Sequence, residues 1–451
     1  MIWILSFEIC HFHFISLSYR MTYTEALQYL DSFINYERRS NYDYKQSFKL
    51  ERMKRLSEIL DNPHRNFRSI HIAGTKGKGS TSAIVYSILK EAGYKTGLYT
   101  SPHLVSFRER IRINDEFISE ADLSRLLLKI KGGVEAMADD RPTFFEVCTA
   151  VAYLYFSREK VDFAVFEVGL GGRLDATNVL EPLVTAITPI SYEHTDKLGC
   201  TLGEIACEKA GIVKEKTPCV IAPQEDEALR AIIKVCEERS SKTILVGKDI
   251  KFNEIGFSDS MEIFSVTGTA SGYQKLEMTL LGSHQVVNAA TAIGVIESLR
   301  LKDIAVSDEA VRKGVRNAKW QGRLEVISRC PYVVLDGAQN RASAKALARA
   351  VKRIFKYGKL ILVLGISKDK DIKGVAEELL PIADKVILTK AGVTGRAAEP
   401  EHIKKFVTRK DRDVYLTGSV KEALGMARAF ASPDDMILIT GSLFVVGEAK
   451  L

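Results

Sequence analysis

Cysteine is scarce and unpatterned in this chain. The seven present (Cys10, Cys148, Cys200, Cys207, Cys219, Cys236 and Cys330) form no C-x-x-C pair and no zinc spacing. An odd, scattered set excludes a disulfide framework and points to a reducing, cytoplasmic setting. A dominant charge of one sign is also lacking. Lys and Arg total 64 against 57 Asp and Glu, a net +7 with no basic tract. That argues against a nucleic-acid partner, since an anionic small molecule accounts for the mild excess as well. A long uninterrupted apolar run is missing too. The first twenty residues are apolar and aromatic, but Glu8, His11 and His13 interrupt them. They lack a basic start and a small-residue cleavage site, which makes a poor signal peptide, and they are too short and broken to span a bilayer, so no membrane partner is expected. Residues 1–20 read as an upstream extension. Met21 opens M-T-Y-T-E-A-L-Q-Y-L, an amphipathic helix start with Thr22 or Thr24 as its cap. There is no G-x-S-x-G elbow, no Cys/His nucleophile pair, no N-K-x-D string, no internal repeat and no low-complexity segment.

What is present is ample core. With 451 residues, 46% apolar and 27% charged, the composition is that of a globular protein of two or three domains. Strand and helix patterns alternate, which predicts a mostly parallel sheet with helices on both faces. Strands are expected at Ile70–Ala73, Thr96–Tyr99, Phe163–Val168, Val184–Thr188 and Cys219–Ala222, with helices such as Thr81–Ala92 and Phe144–Phe156 between them. Near 251–281 short alternating segments suggest a small antiparallel sheet, followed by a helix at His284–Leu299. A second α/β rhythm starts at Tyr332: YVVLD, LILVLG, KVILT and MILIT with helices between. The fold class is therefore α/β. An N-terminal mononucleotide-binding domain of parallel-sheet type (residues 21–319) carries the small antiparallel sheet, a joint (320–331) follows, and a smaller Rossmann-like domain (332–451) ends the chain.

Residues 69–81 read S-I-H-I-A-G-T-K-G-K-G-S-T, a strand, a glycine-rich turn and a helix start. Gly74, Gly77 and Gly79 let backbone N–H groups close on an anion, and the helix adds its positive end. Lys78 can reach β- and γ-phosphates, and Ser80 or Thr81 can offer a hydroxyl to Mg²⁺. A glycine separates that lysine from the hydroxyl, unlike the common G-x-x-x-x-G-K-[ST]. A second constellation, D-F-A-V-F-E-V-G-L-G-G-R-L-D-A-T-N (162–178), brings Glu167 to the carboxyl edge of the sheet, where ligands bind in open α/β folds. There it can serve as an oxygen ligand for Mg²⁺. Arg173 and Asp175 either contact substrate or pair with each other. A third cluster holds Glu193, His194, Thr195 and Asp196, with Lys209 in a following helix beside Glu204 and Glu208.

These strings, together with T-S-P-H-L-V-S-F-R-E-R-I-R-I-N (100–114), G-S-H-Q-V-V-N-A-A-T-A-I (282–293), W-Q-G-R-L-E and L-D-G-A-Q-N, resemble the folylpolyglutamate synthase/dihydrofolate synthase family. That family is a branch of the Mur-ligase-like ATP-dependent amide ligases, and the match runs in order from about Met21 to the C-terminus. The resemblance implies that Gly74, Thr75, Lys76, Gly77, Lys78, Gly79, Ser80 and Thr81 wrap ATP, and that Gln285 and Asn288 contact the nucleotide. It implies Mg²⁺ ligation by Ser80, Glu167 and His194, and a carbamylated Lys209 able to hold a second Mg²⁺; a K⁺ ion belongs to the same expectation. Arg323 matches an arginine that reaches the γ-phosphate, and Asp336 belongs to the facing edge of the C-terminal domain. Ser101, Pro102, His103, Arg108 and Arg110 fall in the pterin/folate-side loop, and Ser442 in the cleft between domains. The implied partners are dihydropteroate or a reduced folate, L-glutamate and ATP, handled by a monomer.

Two positions depart from the family pattern. Gln339 replaces the histidine of D-G-A-H-N; it can hydrogen-bond phosphate or ribose but carries neither proton nor positive charge. Lys76 stands where many bacterial members have asparagine. The implied chemistry is an acyl phosphate formed from ATP and attacked by the amine of L-glutamate. Two other readings compete with it: a ligase of the same class acting on another carboxylate, such as a cell-wall nucleotide precursor, and a nucleotide-binding switch or scaffold. The spacing G-K-G-S argues against the first, and the absent N-K-x-D and the motif-rich second domain argue against the second.

Overall fold

The computed structural model describes residues 21–39, 42–392, 395–407 and 413–451. The extension expected at residues 1–20 lies outside these described residues. The first described helix begins as its sequence suggests. Thr22 caps the helix Tyr23–Asp31 and exchanges hydrogen bonds with Glu25, a capping box.

Eight strands form the first sheet: β1 (Arg68–Ala73), β2 (Thr96–Tyr99), β3 (Ile111–Ile113), β4 (Glu116–Phe117), β5 (Phe163–Glu167), β6 (Val184–Ile187), β7 (Cys219–Ile221) and β8 (Thr243–Leu245). Their order is β4-β3-β2-β5-β1-β6-β7-β8, and all neighbours pair in parallel except β2–β3 and β3–β4. The inner strands are buried on both faces, as continuous apolar runs in a parallel sheet require. On one face Ile70, Ile72, Val165 and Val184 pack against the helices Lys78–Glu91 and Ser283–Arg300. On the other, Tyr99, Ala164 and Phe166 pack against Glu120–Glu135 and Phe144–Arg158. The helix after β1 starts at Lys78, three residues before the expected Thr81. Glycine is a poor helix former, so K-G-S-T hides the true start.

The strands β9 (Lys251–Phe257), β10 (Glu262–Thr267) and β11 (Gly272–Met278) make the small antiparallel sheet. Phe264 and Val266 of β10 enter the core beneath the Ser283–Arg300 helix. The last six strands are β12 (Glu325–Arg329), β13 (Tyr332–Asp336), β14 (Leu360–Leu364), β15 (Lys385–Leu388), β16 (Asp413–Leu416) and β17 (Met436–Thr440). They form a second sheet in the order β12-β13-β17-β14-β15-β16, parallel except for β12. Part of the stretch read as a joint is therefore strand: β12 pairs with β13 at the sheet edge. The hairpin β3–β4 and the strands β8 and β16 were also absent from the sequence reading. Each is short or half-exposed, and a period-2 signal over two to four residues is too weak to register.

Among the described residues no helix is long and apolar enough to cross a membrane, and six cysteines are free thiols. Ion pairs stitch the two sheets' domains together. Arg353 of the helix Arg341–Ile354 binds Glu254 and Glu262 on the small sheet, and Arg329 binds Asp259.

Buried ion pairs tie down the segment before β1: Arg52 on Glu146 at 2.7 Å, and Glu37 on Arg110. Arg110, only 1% exposed, forms a bidentate link to Glu37 at 2.8 and 2.6 Å and donates from Nε to His103 Nδ1 at 2.8 Å. Burial alone would raise the Glu37 pKa, but Arg110 outweighs it and the pKa is lowered. Glu37→Ala leaves a buried guanidinium without its partner and is expected to cost about 3–5 kcal/mol at pH 7. With a depressed folded pKa, the stabilisation is present above the ordinary carboxyl value and lost as pH falls through the folded one. Urea unfolding of both proteins at pH 7 and in acid checks this; equal midpoints at pH 7 would refute it.

Candidate active site

Three loops leave the carboxyl ends of adjacent strands and converge. The order β5-β1-β6 makes β1 the switch point of the first sheet, so the loops after β1, β5 and β6 open on one edge. The second sheet has β17 between β13 and β14, and its loops after those strands face the first set. Between them lies a cavity of about 660 Å³.

The phosphate loop is shaped by contacts no side chain could tolerate. Gly74 (φ +143°) and Gly77 (φ +84°) are in the left-handed region, and a Cβ there would overlap Thr188 Oγ1 and Asn288 Oδ1 respectively. A Cβ on Gly79 would lie 2.6 Å from the Trp320 ring. Thr75 and Lys76 N–H groups donate to Pro189 O at 3.1 Å, which ties the loop to the end of β6. Gly77 caps the helix without a side-chain acceptor, so the first-turn N–H groups stay available to an anion.

Of the residues singled out, Thr75, Lys76, Gly77, Lys78, Gly79 and Ser80 line the cavity, as do Ser101, Pro102, Glu167, Asp175, His194, Gln285, Asn288, Arg323, Asp336 and Gln339. Gly74 lies just beneath them. Of Ser80 and Thr81, Ser80 lines the cavity, while Thr81 Oγ1 is buried and has no partner among the described residues. Gln285 and Asn288 are buried and joined, Nδ2 of the asparagine donating to Oε1 of the glutamine at 2.9 Å.

Lys209 is buried and its Nζ donates to Gly74 O at 2.9 Å. Burial, and then the Lys78 charge, pull its pKa down to about 7. Burial raises the Glu167 pKa against the opposing pull of Lys78, and Glu167 Oε2 accepts from Ser101 N at 3.2 Å. His194 is in the left-handed region (φ 54°) at the start of the short helix Thr195–Leu198; burial, then Lys370, bring its pKa to about 3 and keep it neutral. Asp336 is fixed by Leu324 N and Ala338 N, each donating at 2.8 Å, and burial raises its pKa against the charge of Arg323. Among the described residues the side chains of Lys78 and Arg323 make no hydrogen bond or ion pair.

Several expected side chains are committed elsewhere. Arg173 pairs with Glu208 at 2.6 Å rather than with Asp175. Asp175 instead caps the turn Ala176–Val179 and faces the cavity. Arg110 and His103 serve the Glu37 tether, and Arg108 donates to Ile118 O at 2.6 Å. Ser442 is buried as the cap of the helix Leu443–Glu448; its neighbours Leu443 and Phe444 reach the cavity in its place. A serine before an apolar helix start is a cap signal, which makes that placement readable.

Two participants escaped the sequence reading. Glu37 lay in the unassigned segment before β1. Lys370 binds Glu193 Oε1 at 3.2 Å from 177 positions away, while Lys76 holds Oε2 at 2.9 Å. Burial pushes the Glu193 pKa up, yet the two lysines bring it well below the ordinary carboxyl value. No local pattern announces a bridge between two sheets.

Comparison with known proteins agrees with this geometry. Residues 72–296 match the Mur ligase middle domain and residues 322–443 the Mur ligase glutamate ligase domain. The chain is 37% identical over 412 residues to the dihydrofolate synthase/folylpolyglutamate synthase of Bacillus subtilis, covering 89% of this chain and 94% of the relative. The structure of Mycobacterium tuberculosis folylpolyglutamate synthase complexed with ADP superposes with a TM-score of 0.86 at 31% identity, covering 95% and 97% of the two chains. A Yersinia pestis bifunctional folylpolyglutamate synthase/dihydrofolate synthase complexed with AMPPNP and Mn gives 0.82 at 30% identity, covering 94% and 96%. The chain belongs to the folylpolyglutamate synthase/dihydrofolate synthase family of ATP-dependent Mur-type ligases.

Proposed function

We propose that the cavity brings together ATP, a folate-type carboxylate and L-glutamate, making dihydrofolate from dihydropteroate, extending folate with glutamate, or both. The observation that carries this reading is a pair of cations without partners among the described residues, Lys78 and Arg323, lining one cavity from opposite domains. Side chains so placed suit a group that carries charge in transit. The relatives solved with ADP and with AMPPNP and Mn support a nucleotide and a divalent metal at this loop.

A carboxylate is a poor electrophile. Transfer of the γ-phosphoryl group of ATP to the acceptor carboxylate gives an acyl phosphate and ADP. The glutamate amine then attacks the acyl carbon, and the tetrahedral intermediate expels phosphate to leave the amide. Here the loop N–H groups, Lys78 and Arg323 stabilise charge on the transferring group. The facing loops of the two sheets keep water from the acyl phosphate. Gln339 contributes a neutral hydrogen bond where a charged residue would add a further cation.

The donor set fits magnesium. Among the described residues no three His, Cys, Asp or Glu side chains gather into a cage, so the ion would take Ser80, Glu167 and His194 from three different loops. Glu167 is a buried carboxylate whose raised pKa marks a charge still short of compensation. Lys209 is a buried amine, half-neutral near pH 7, with one carbonyl for a partner; as a carbamate it would supply a second anionic ligand. Bound Mg²⁺ supplies charge neutralisation on the phosphates. Two Mg²⁺ ions, with K⁺ as a further cation, complete the proposed complement, and the enzyme acts as a cytoplasmic monomer.

Phosphate release with ATP, Mg²⁺ and L-glutamate, comparing dihydropteroate with tetrahydrofolate, tests the reading. Release with either acceptor supports it and names the activity; silence with both, from folded protein that binds ATP, would overturn it. Lys209→Ala is expected to abolish turnover, and near-normal activity would remove its carbamate role. The folded pKa of about 7 lies below the ordinary lysine value, so the reactive neutral amine dominates above pH 7. At fixed dissolved CO₂, reactivation of CO₂-depleted enzyme should therefore be greater at pH 8 than at pH 6. Gly77→Ala should weaken ATP binding, through about 1–3 kcal/mol of backbone strain and the clash with Asn288, as read by the KM for ATP.

A further inference from the structure

His71 is buried in the middle of β1, and the proposed chemistry leaves it without a role. Its Nε2 lies 2.8 Å from Thr177 Oγ1. The Thr177 hydroxyl and its N–H, the latter at 3.0 Å, both bond Asp175 Oδ1. Gly169 N and Leu170 N donate to Oδ2 at 3.1 and 2.9 Å. The protons can be placed from this. Burial raises the Asp175 pKa, but three backbone N–H groups donate to its two oxygens and favour the carboxylate, which only accepts, so the threonine hydroxyl donates to it. Its oxygen is then the acceptor toward the imidazole, which requires the ring proton on Nε2. Nδ1 is left as a bare acceptor, buried and without a partner among the described residues. Burial, and then the charge of Lys214, lower the ring's pKa to about 3, so it stays neutral.

The chain of bonds ends at the cavity. Asp175 is fully buried, lines it beside Phe145, Leu170 and Ala176, and forms no ion pair among the described residues. Both its oxygens are held by neutral donors, so they fix its direction without cancelling its charge. We propose that His71 and Thr177 are positioning residues for the acceptor: the relay Nε2–H to Oγ–H to Oδ1 aims Asp175 at the acceptor end of the cavity. This rests on the folate-ligase reading, in which the acceptor is a flat heteroaromatic with N–H groups that a carboxylate can bind.

Four variants and one spectrum decide it. His71→Leu and Thr177→Val keep the volume and break the relay. Each should raise the KM for the folate acceptor about tenfold, equivalent to about 1.4 kcal/mol, with the KM for ATP within about twofold of wild type. His71→Gln, whose amide N–H can stand in for Nε2–H, and Thr177→Ser should recover most of the loss. In ¹⁵N-histidine NMR spectra of the whole chain, His71 should be the Nε2–H tautomer in wild type and should shift in Thr177→Val. Acceptor and ATP KM rising together, no change in either, or an Nδ1–H tautomer would overturn the proposal. If wild type turned over neither acceptor, the folate reading would fall and the positioning role with it, whereas the tautomer would still report whether the relay exists.

Discussion

The phosphate loop can approach its neighbours only because Gly74, Gly77 and Gly79 have no side chains there. Thr188, Asn288 and Trp320 occupy the space that Cβ atoms would need. Those three residues belong to different parts of the chain: the end of β6, the helix Ser283–Arg300 and the start of the joint. Closing the loop on all three at once sets the distance between the first sheet, the small-sheet region and the second domain. The loop proposed to cradle an anion is thus also a spacer. Lys209 reinforces it by donating to the Gly74 carbonyl, so the amine and the loop backbone are held by a single contact.

Charge in the cavity is arranged so that some groups are spent and others kept. Lys76 and Lys370 are both spent on Glu193, and the Lys370 bond crosses between the domains. Arg110 is spent on Glu37. Lys78 and Arg323 face the cavity with no ion pair, against the buried carboxylates Glu167 and Asp336, whose raised pKa values report incomplete compensation. An anionic substrate and its metal enter a field whose structural ion pairs are already satisfied. This is the difference between an ion pair that holds a fold and a charge that is poised for a ligand.

Much of this was legible from sequence, for identifiable reasons. The strand–glycine loop–helix at 69–81 and the carboxylate at the end of β5 follow from local patterns of a few residues, and parallel topology places such loops on one edge. The α/β rhythm and the small antiparallel sheet likewise rest on local periodicity. What was not legible is non-local. The bond from Lys370 to Glu193 and that from Arg110 to Glu37 join segments far apart in sequence. Arg173 and Asp175 sit two residues apart and look like a pair, but the turn at 176–179 points one to Glu208 and folds the other inward. Ser442 resembled a ligand-facing serine through its motif, whereas its local role is a helix cap.

The walls of the cavity differ in how firmly they are built. The edge that carries Glu167, Ser80 and Lys209 hangs from strands buried on both faces. The wall formed by residues 34–39 and 42–48 has one short helix, Tyr44–Ser47, and is packed through ring contacts among Tyr36, Tyr42 and Phe48 at 4.5–5.9 Å. Single contacts tie it to the rest of the molecule: Glu37 on Arg110, the Glu37 carbonyl on Arg396 of the second domain, the Ile34 carbonyl on Phe144 N and the Ser47 carbonyl on Arg52. A substitution at Glu37 leaves Arg110 buried without its partner, whereas a substitution at a strand end is felt through the packing of the whole sheet. The first wall is thereby fixed by the register of a buried sheet, and the second by individual hydrogen bonds and ring contacts.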